Sequence, residues 1–193
     1  MSFQALFDLE SELSGYTGAP YVVVTDGCTH SLELCLRYYQ IKSVKFTAFT
    51  YISVVQTMRH LGIQYELIDE EWSGEYQLHE TNIWDSARRL EPGMYRPGQI
   101  QCLSFGYSKP LEVGKCGAIL LDDVQAYHQL SMMRSDGRDL HIMPWQDQTI
   151  LVPGWHYCPT LEIVAIMRQR LMTVQPQCQT VAYPDCRKIS FRV

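Results

Sequence analysis

Short apolar runs rich in β-branched residues alternate along this chain with segments of helical periodicity, and this alternation restricts the fold more than any other feature. The first unit is the strand-like run Tyr21–Thr25, followed by a turn at residues 26–29 and a helical pattern over residues 30–39. Strands that alternate with helices build a sheet that helices cover on both faces. The sequence therefore predicts an α/β fold, a three-layer sandwich with a mostly parallel central sheet.

The same alternation continues to residue 172. Further strands are predicted over residues 44–49, 64–68, 82–84, 101–105 and 118–121, and further helices over residues 3–14, 52–61, 124–133 and 160–172. Beyond Gln175 the pattern fades, and only a closing strand over residues 188–193 is predicted. No internal repeat or linker marks a second large domain. We predict one α/β domain over residues 1–175 and a C-terminal tail over residues 176–193.

Composition excludes several functional classes. The net charge is −5, and no basic stripe is present of the kind that nucleic-acid binding requires. No apolar run is long enough to span a bilayer, and the N-terminus has no secretion signal. The seven cysteines form no C-x-x-C pair, and no two histidines have helical metal-site spacing, so we expect reduced thiols and no metal. These features predict a cytoplasmic protein without nucleic-acid or membrane partners.

Lys109 lies between two predicted strands, five residues after Ser104 and directly before Pro110. Most lysines in such loops are simply solvated. The alternative is a lysine that forms a Schiff base with a carbonyl group and then acts as a general base, which requires a lowered pKa. Pro110 restricts the backbone of Lys109 to extended conformations, which would help to aim the side chain. Lys115 is a competing candidate, but the spacing to Ser104 favours Lys109.

Three other segments have residue types suited to ligand binding. The turn of Gly27, Cys28 and Thr29 precedes a predicted helix, where backbone N–H groups can hold a phosphate; an ordinary turn with a capping threonine is the alternative. Asp85 ends a short strand, where α/β sheets bind ligands, although it could equally cap the next turn. Tyr51 follows another strand and could stack on a planar ligand or belong to the core or the surface.

Taken in chain order, from the turn at Gly27 through Tyr51 and Asp85 to Lys109, these segments resemble the DegT/StrS family of sugar aminotransferases. Members of this family depend on pyridoxal phosphate (PLP) and have a fold-type I large domain. The resemblance runs from about residue 7 to residue 172. It includes the run of residues 135–138 and the run of residues 154–157, which is similar to a family segment that reaches the cofactor of a neighbouring subunit. The resemblance implies a PLP-dependent transferase-like fold and a homodimer.

The resemblance also implies a role for each candidate residue. Lys109 corresponds to the Schiff-base lysine and Asp85 to the aspartate that pairs with the pyridinium nitrogen of PLP. Tyr51 corresponds to the aromatic residue that stacks on the ring, and Arg88 stands where the family has a glutamine that contacts the ring region. The residues that correspond to the phosphate site are Gly27, Cys28, Thr29 and Ser104.

The resemblance implies the transfer of an amino group from an amino acid to a keto sugar, as a step of sugar biosynthesis. We expect the keto sugar to be linked to a nucleotide. The chain departs from the family in length: the small C-terminal domain is not recognisable after Met172, and residues 69–85 are abbreviated. His156 and Cys158 replace an asparagine and an arginine near the subunit contact. A catalytically degenerate PLP-fold module for binding or partner contacts is therefore the alternative hypothesis. A nucleotide-binding domain is less favoured, because G-x-G-x-x-G and Walker motifs are absent.

Overall fold

Five α-helices and nine short strands alternate in the computed structural model, which describes residues 3–149 and 152–191. The helices are α1 (Gln4–Thr17), α2 (Cys28–Tyr38), α3 (Ile52–Leu61), α4 (Val124–Arg134) and α5 (Leu161–Leu171). The strands are β1 (Tyr21–Thr25), β2 (Ser43–Thr47), β3 (Gln64–Ile68), β4 (Tyr76–Gln77), β5 (Ile83–Asp85), β6 (Arg89–Leu90), β7 (Ile100–Ser104), β8 (Gly117–Leu121) and β9 (Gln177–Cys178). In these described ranges, no helix has both the length and the apolar character needed to cross a bilayer.

The central sheet has the strand order β1-β8-β7-β5-β4. Only β5 and β7 pair in parallel, whereas β1 with β8, β8 with β7, and β5 with β4 pair antiparallel. Strands β2 and β3 form a separate parallel pair, and an antiparallel bridge between Lys45 and His79 joins β2 to the chain just after β4. The sheet is therefore mixed.

The predicted three-layer α/β fold is confirmed, but the expectation of a mostly parallel sheet is wrong. Strands β7 and β8 are joined by residues 105–116, a loop without a helix, and a parallel pair would need a longer crossover connection. The expectation came from the alternation of strands and helices, and the burial of every residue in β8 does not indicate the direction of that strand. Antiparallel strands covered on both faces produce the same sequence pattern.

Alternating residues of the strands point to two separate cores. Val22 and Val24 of β1 pack with α1 and α5 on one face of the sheet, while Val23 packs with α2, α3 and α4 on the other. This alternation follows from the period of two in a β-strand. Helices on both faces keep the sheet out of water and leave the strand ends accessible.

A buried ion pair protects the outer edge of β1. The Val24 N–H donates to Glu10 of α1, and the Val24 carbonyl accepts a hydrogen bond from Arg134 of α4. Glu10 and Arg134 also pair with each other, so the two charges compensate in the interior. The contact closes a sheet edge that would otherwise expose unpaired backbone groups.

The C-terminal segment, residues 177–191, packs onto the domain. Strand β9 pairs with β6, and the buried Cys186 donates its backbone N–H to the Ala48 carbonyl. The predicted strand over residues 188–193 is wrong where the structure describes it, because Cys186–Lys188 forms a 3-10 turn capped by Asp185 and no strand follows; residues 192–193 lie outside the described ranges. Strands β4, β6 and β9 were not predicted, since two residues show no periodicity.

Candidate functional site

A cavity of about 590 Å³ opens at the carboxyl ends of β1, β5 and β7. Crevices of α/β domains bind ligands at such strand ends. The structure places every candidate residue from the sequence along this one cavity: Gly27, Cys28, Thr29, Tyr51, Asp85, Arg88, Ser104 and Lys109. Residues separated by up to 82 positions in the chain thus line the same cavity.

Lys109 lies in the loop between β7 and β8, directly after Ser108, whose backbone is in the left-handed region (φ 61°). The Lys109 side chain lines the cavity, and no carboxylate within 4.0 Å pairs with it in the described parts of the chain. Lys115, the competing lysine, has a side chain that is 72% exposed and pairs with Asp26 at 3.1 Å. Of the two amines, Lys109 is the one without an ionic partner.

Asp85 is buried at the end of β5, with both carboxylate oxygens engaged. Its Oδ2 accepts a hydrogen bond from the Tyr76 hydroxyl (2.8 Å), and its Oδ1 accepts one from the Ala87 N–H (3.0 Å). Burial raises the pKa of Asp85, and the hydrogen bonds and the nearby charge of Lys109 oppose this rise only in part. A cationic group placed in the cavity beside Asp85 would restore the ionised form.

Cys28 begins α2 and projects from the opposite side of the cavity towards Asp85. Its Sγ lies 3.9 Å from Asp85 Oδ1 and 3.5 Å from the Cys102 carbonyl oxygen. Burial, together with the negative charge of Asp85, raises the pKa of the Cys28 thiol well above its usual range. Cys28 is therefore a neutral thiol and a hydrogen-bond donor, and it lacks the thiolate character of a nucleophile.

The N-terminus of α2 forms one end of the cavity. Gly27 occupies the N-cap position, and the hydroxyl oxygens of Thr29 and Ser53 lie 2.8 Å apart, so that α2 and α3 present two hydroxyls together. Ser104 contributes a third hydroxyl from the end of β7. Unpaired N–H groups at a helix N-terminus, with hydroxyls beside them, form a site suited to a phosphate.

Gly117 allows the turn at Gly27 and Cys28 to lie directly against strand β8. A Cβ atom at this first residue of β8 would stand 2.5 Å from the Gly27 carbonyl carbon and 2.5 Å from the Cys28 nitrogen. A Cβ atom essentially never comes this close to a non-bonded atom, so only glycine fits at position 117. The sequence reasoning did not identify this requirement, because the close approach exists only after the fold brings β8 to the turn.

Further side chains support the turn of Gly27, Cys28 and Thr29. Asp26 accepts hydrogen bonds from His30 and Lys115; burial opposes its ionisation, but these bonds prevail and lower its pKa. The ring of His30 stacks on Tyr157 at 3.7 Å, and the Tyr157 carbonyl accepts from the Asp26 N–H. The run of residues 154–157 thus reaches the turn through Tyr157, while the His156 side chain is 86% exposed.

Tyr183 of the C-terminal segment also lines the cavity, and no pattern in the sequence pointed to it. Its ring stacks on Trp72 at 5.8 Å, and its hydroxyl accepts a hydrogen bond from Arg88 Nε at 3.0 Å. Tyr51, which is 59% exposed, meets Tyr183 edge to face at 6.5 Å. Tyr51 and Tyr183 therefore form an aromatic pair in the cavity lining, and Trp72 stacks on Tyr183. Tyr183 lies in a segment without periodicity, so sequence reasoning missed it.

Comparisons with known proteins concern the family and the fold of the chain. Residues 4–82 match the model of the DegT/DnrJ/EryC1/StrS aminotransferase family. The fold is similar to that of AtS13 from Actinomadura melliaura, with a TM-score of 0.76 and a sequence identity of 17%. The match covers 89% of this chain and 60% of AtS13. It is also similar to the aminotransferase from Psychrobacter cryohalolentis (15%, TM-score 0.70, 88% and 56%) and to Spr1654 from Streptococcus pneumoniae in its PLP form (16%, TM-score 0.69, 88% and 59%).

None of the curated proteins matches the sequence. The chain spans only 56–60% of the length of the solved structures named above. Their identities of 15–17% show a shared fold alone. The resemblance predicted from the sequence is nevertheless confirmed, because residues 4–82 have the sequence pattern of the DegT/DnrJ/EryC1/StrS aminotransferase family and most of the chain has the corresponding fold.

Proposed function

We propose that this chain binds PLP in the cavity and, as a cytoplasmic homodimer, transfers an amino group from an amino acid to a keto sugar that is linked to a nucleotide. The observation that supports the proposal most strongly is the convergence of residues. Eight residues, selected from four separate segments of the sequence, line one cavity of about 590 Å³. That Spr1654 was solved in a PLP form adds support from a protein of the same fold.

The residues fit the three chemically distinct parts of PLP. The N-terminus of α2, with Thr29 and Ser104, suits the phosphate group. Asp85 is a buried carboxylate with a raised pKa, which matches the protonated ring nitrogen as its counter-charge. Lys109 supplies an amine without an ionic partner in the described residues, which matches the aldehyde. No group in the cavity conflicts with this assignment.

Bound there, PLP would supply an electron sink for the electrons left when a bond at the substrate's α-carbon breaks. Lys109 would act as the Schiff-base lysine and would carry the proton between carbon atoms on its Nζ. Asp85 would keep a proton on the ring nitrogen, and the Tyr76 hydroxyl, bonded to Thr50 Oγ1 at 2.6 Å, would fix the carboxylate orientation. Tyr51 would cover the ring and exclude water.

A catalytically degenerate PLP-binding module is the second candidate. The observation that favours it is Arg88, a positive charge where the family has an uncharged glutamine. This hypothesis predicts cofactor binding without turnover. The two candidates share the site and differ in the reaction.

The test begins with the purified chain and PLP. We expect a visible absorbance band that disappears on borohydride reduction, and reduction should attach the cofactor to Lys109 in a peptide map. Amino transfer is then measured with glutamate and a nucleotide-linked keto sugar. Binding without transfer would favour the degenerate module, and no absorbance with excess PLP would contradict both candidates.

The homodimer is a separate part of the proposal. Two tyrosines close to the mouth are strongly exposed, Tyr51 at 59% and Tyr107 at 77%, and a neighbouring subunit would cover them. Light scattering on the purified chain should give twice the monomer mass. A monomer at all concentrations would contradict this part and leave cofactor binding unaffected.

The Gly117→Ala variant tests the phosphate end of the site. The added methyl group must push the turn at Gly27 and Cys28 away from β8, so we expect the affinity for PLP to fall about 10-fold or more, with a stability loss of about 1–3 kcal/mol. Calorimetric titration with PLP and thermal unfolding measure the two effects. An unchanged affinity would show that the turn does not hold the phosphate.

Gly15→Ala is the matched control. Gly15 lies in α1, and a Cβ atom there would meet nothing within 4 Å. Alanine is the better helix former, so this variant should be more stable by about 0.5–1 kcal/mol, and its affinity for PLP should equal that of the wild type.

A further inference from the structure

Arg88 is a buried cation that forms no ion pair within the described residues, and its charge acts on Asp85 only over a longer distance. The side chain lines the cavity, only 8% of the residue is exposed, and no carboxylate lies within 4.0 Å of its guanidinium in residues 3–149 and 152–191. Burying a charge without compensation costs free energy, so buried arginines normally pair with an acid. Glu10 and Arg134 show the usual arrangement in this same protein.

Neutral acceptors hold the Arg88 guanidinium in place. Nη1 donates to the Ser108 carbonyl oxygen at 2.6 Å and to Gln179 Oε1 at 3.1 Å, and Nε donates to the Tyr183 hydroxyl at 3.0 Å. Nη2 has no acceptor among the described residues. The guanidinium is therefore fixed by three residues from two segments of the chain, the loop between β7 and β8 and the C-terminal segment, and it retains both its charge and a free donor.

The remaining charges of the cavity are already committed. Asp85 faces the ring nitrogen in the proposed function, Lys109 faces the aldehyde, and Lys115 pairs with Asp26. The N-terminus of α2 provides the donors for a phosphate. Arg88 is the one cation lining the cavity, within the described ranges, that neither a protein carboxylate nor the assigned cofactor groups would neutralise.

We propose that Arg88 binds a carboxylate of the amino-acid donor, and of the 2-oxo acid that it becomes, beside the cofactor. The inference rests on the proposed function in taking this cavity as the site of the amino acid. A carboxylate is a single negative charge that accepts charge-assisted hydrogen bonds from a guanidinium. Every amino-acid donor has such a group. Tyr183 and Gln179 become positioning residues, because they act by holding Arg88.

The test is calorimetric titration of the full chain with glutarate, an unreactive dicarboxylate, with and without PLP. In the Arg88→Gln variant, which restores the family's residue, glutarate affinity should fall about 10- to 100-fold. Arg88→Lys should show an intermediate loss, because the charge remains while the planar fork is lost. Glutaramide, the neutral diamide, should bind weakly and equally to all three proteins.

Arg187→Gln is the control, because Arg187 belongs to the same C-terminal segment but pairs with Asp185 outside the cavity. Its glutarate affinity should equal that of the wild type. If Arg88→Gln does not fold, Tyr183→Phe removes the hydroxyl that holds Nε and should lower glutarate affinity several-fold. Thermal unfolding identifies folded variants.

Two outcomes would overturn the inference. Equal glutarate affinity of the wild type and the folded Arg88 or Tyr183 variants would do so, as would a loss of inorganic phosphate binding with glutarate binding intact, because Arg88 would then belong to the phosphate site. Failure of glutarate to bind a wild-type protein that shows the PLP absorbance would refute the carboxylate site alone. Glutarate binding without any PLP absorbance would refute the proposed function alone.

Discussion

We expect the Lys109→Ala variant to lose the visible absorbance of bound PLP and to lose at least about 10⁴-fold in the rate of amino transfer. The substitution removes both the amine that would join the cofactor and the group that would carry the proton. The N-terminus of α2 and Asp85 remain, so PLP should still bind without a covalent bond. Absorbance, borohydride labelling and single-turnover rates are the measurements, and calorimetry checks that PLP is still held.

Lys115→Ala is the matched control for this experiment. Lys115 lines the same cavity, but its side chain is 72% exposed and pairs with Asp26. The variant should keep the absorbance band and the borohydride label, with at most a modest loss of affinity. If the label and the absorbance persist in Lys109→Ala and vanish in Lys115→Ala, the assignment of the two lysines is reversed.

The sequence predicted the elements of the fold well where periodicity was long enough. Strand β1 and the bounds of α3 agree with the structure residue for residue, and Thr160 caps α5 as expected. Strand direction was not predictable from the same pattern. Burial on both faces makes β8 uniformly apolar, and a parallel or an antiparallel neighbour would leave the same pattern.

The candidate site was predictable to the extent that its residues follow strand ends. Asp85 and Ser104 end β5 and β7, and Gly27 follows β1, so topology alone brings them to one edge. Gly117 and Tyr183 were not predictable, because their roles depend on a close approach and on the path of residues 177–191. The unpaired state of Arg88 likewise becomes visible only when every neighbouring carboxylate has been located.

The C-terminal segment connects these findings. Its residues Gln179 and Tyr183 hold Arg88, and Tyr183, which lines the cavity, also stacks on Trp72. Strand β9 fixes this segment to β6, directly after Arg88 in the chain. Asp85 at the end of β5 and Tyr183 of the C-terminal segment therefore line the same cavity.

The Asp85→Asn variant should lower the kcat of amino transfer about 10²- to 10³-fold, because a neutral amide cannot keep the ring nitrogen protonated. The fold should accept the substitution. The Tyr76 hydroxyl can turn to donate to Thr50 Oγ1, 2.6 Å away, and accept from the new amide, while the amide oxygen takes the Ala87 N–H. Kinetics at saturating PLP separate this loss from weaker cofactor binding.

The same variant should reduce the stabilisation that PLP provides. Burial raises the pKa of Asp85 in the folded state, so the folded protein holds this proton more tightly than the unfolded chain. The contribution of Asp85 to stability is therefore lost as pH rises from its unfolded pKa through its higher folded pKa. At neutral pH without PLP, Asp85→Asn should be the more stable protein, with a Tm higher by roughly 2–4 °C for each kcal/mol of relieved burial cost. Below both pKa values the difference should disappear, because protonated aspartate and asparagine are both neutral.

With PLP bound, the ring nitrogen would compensate the carboxylate, and the wild type should gain more in Tm than the variant. Thermal unfolding across pH, with and without PLP, measures all three differences, and an equal gain from PLP in both proteins would show that Asp85 does not face the ring nitrogen.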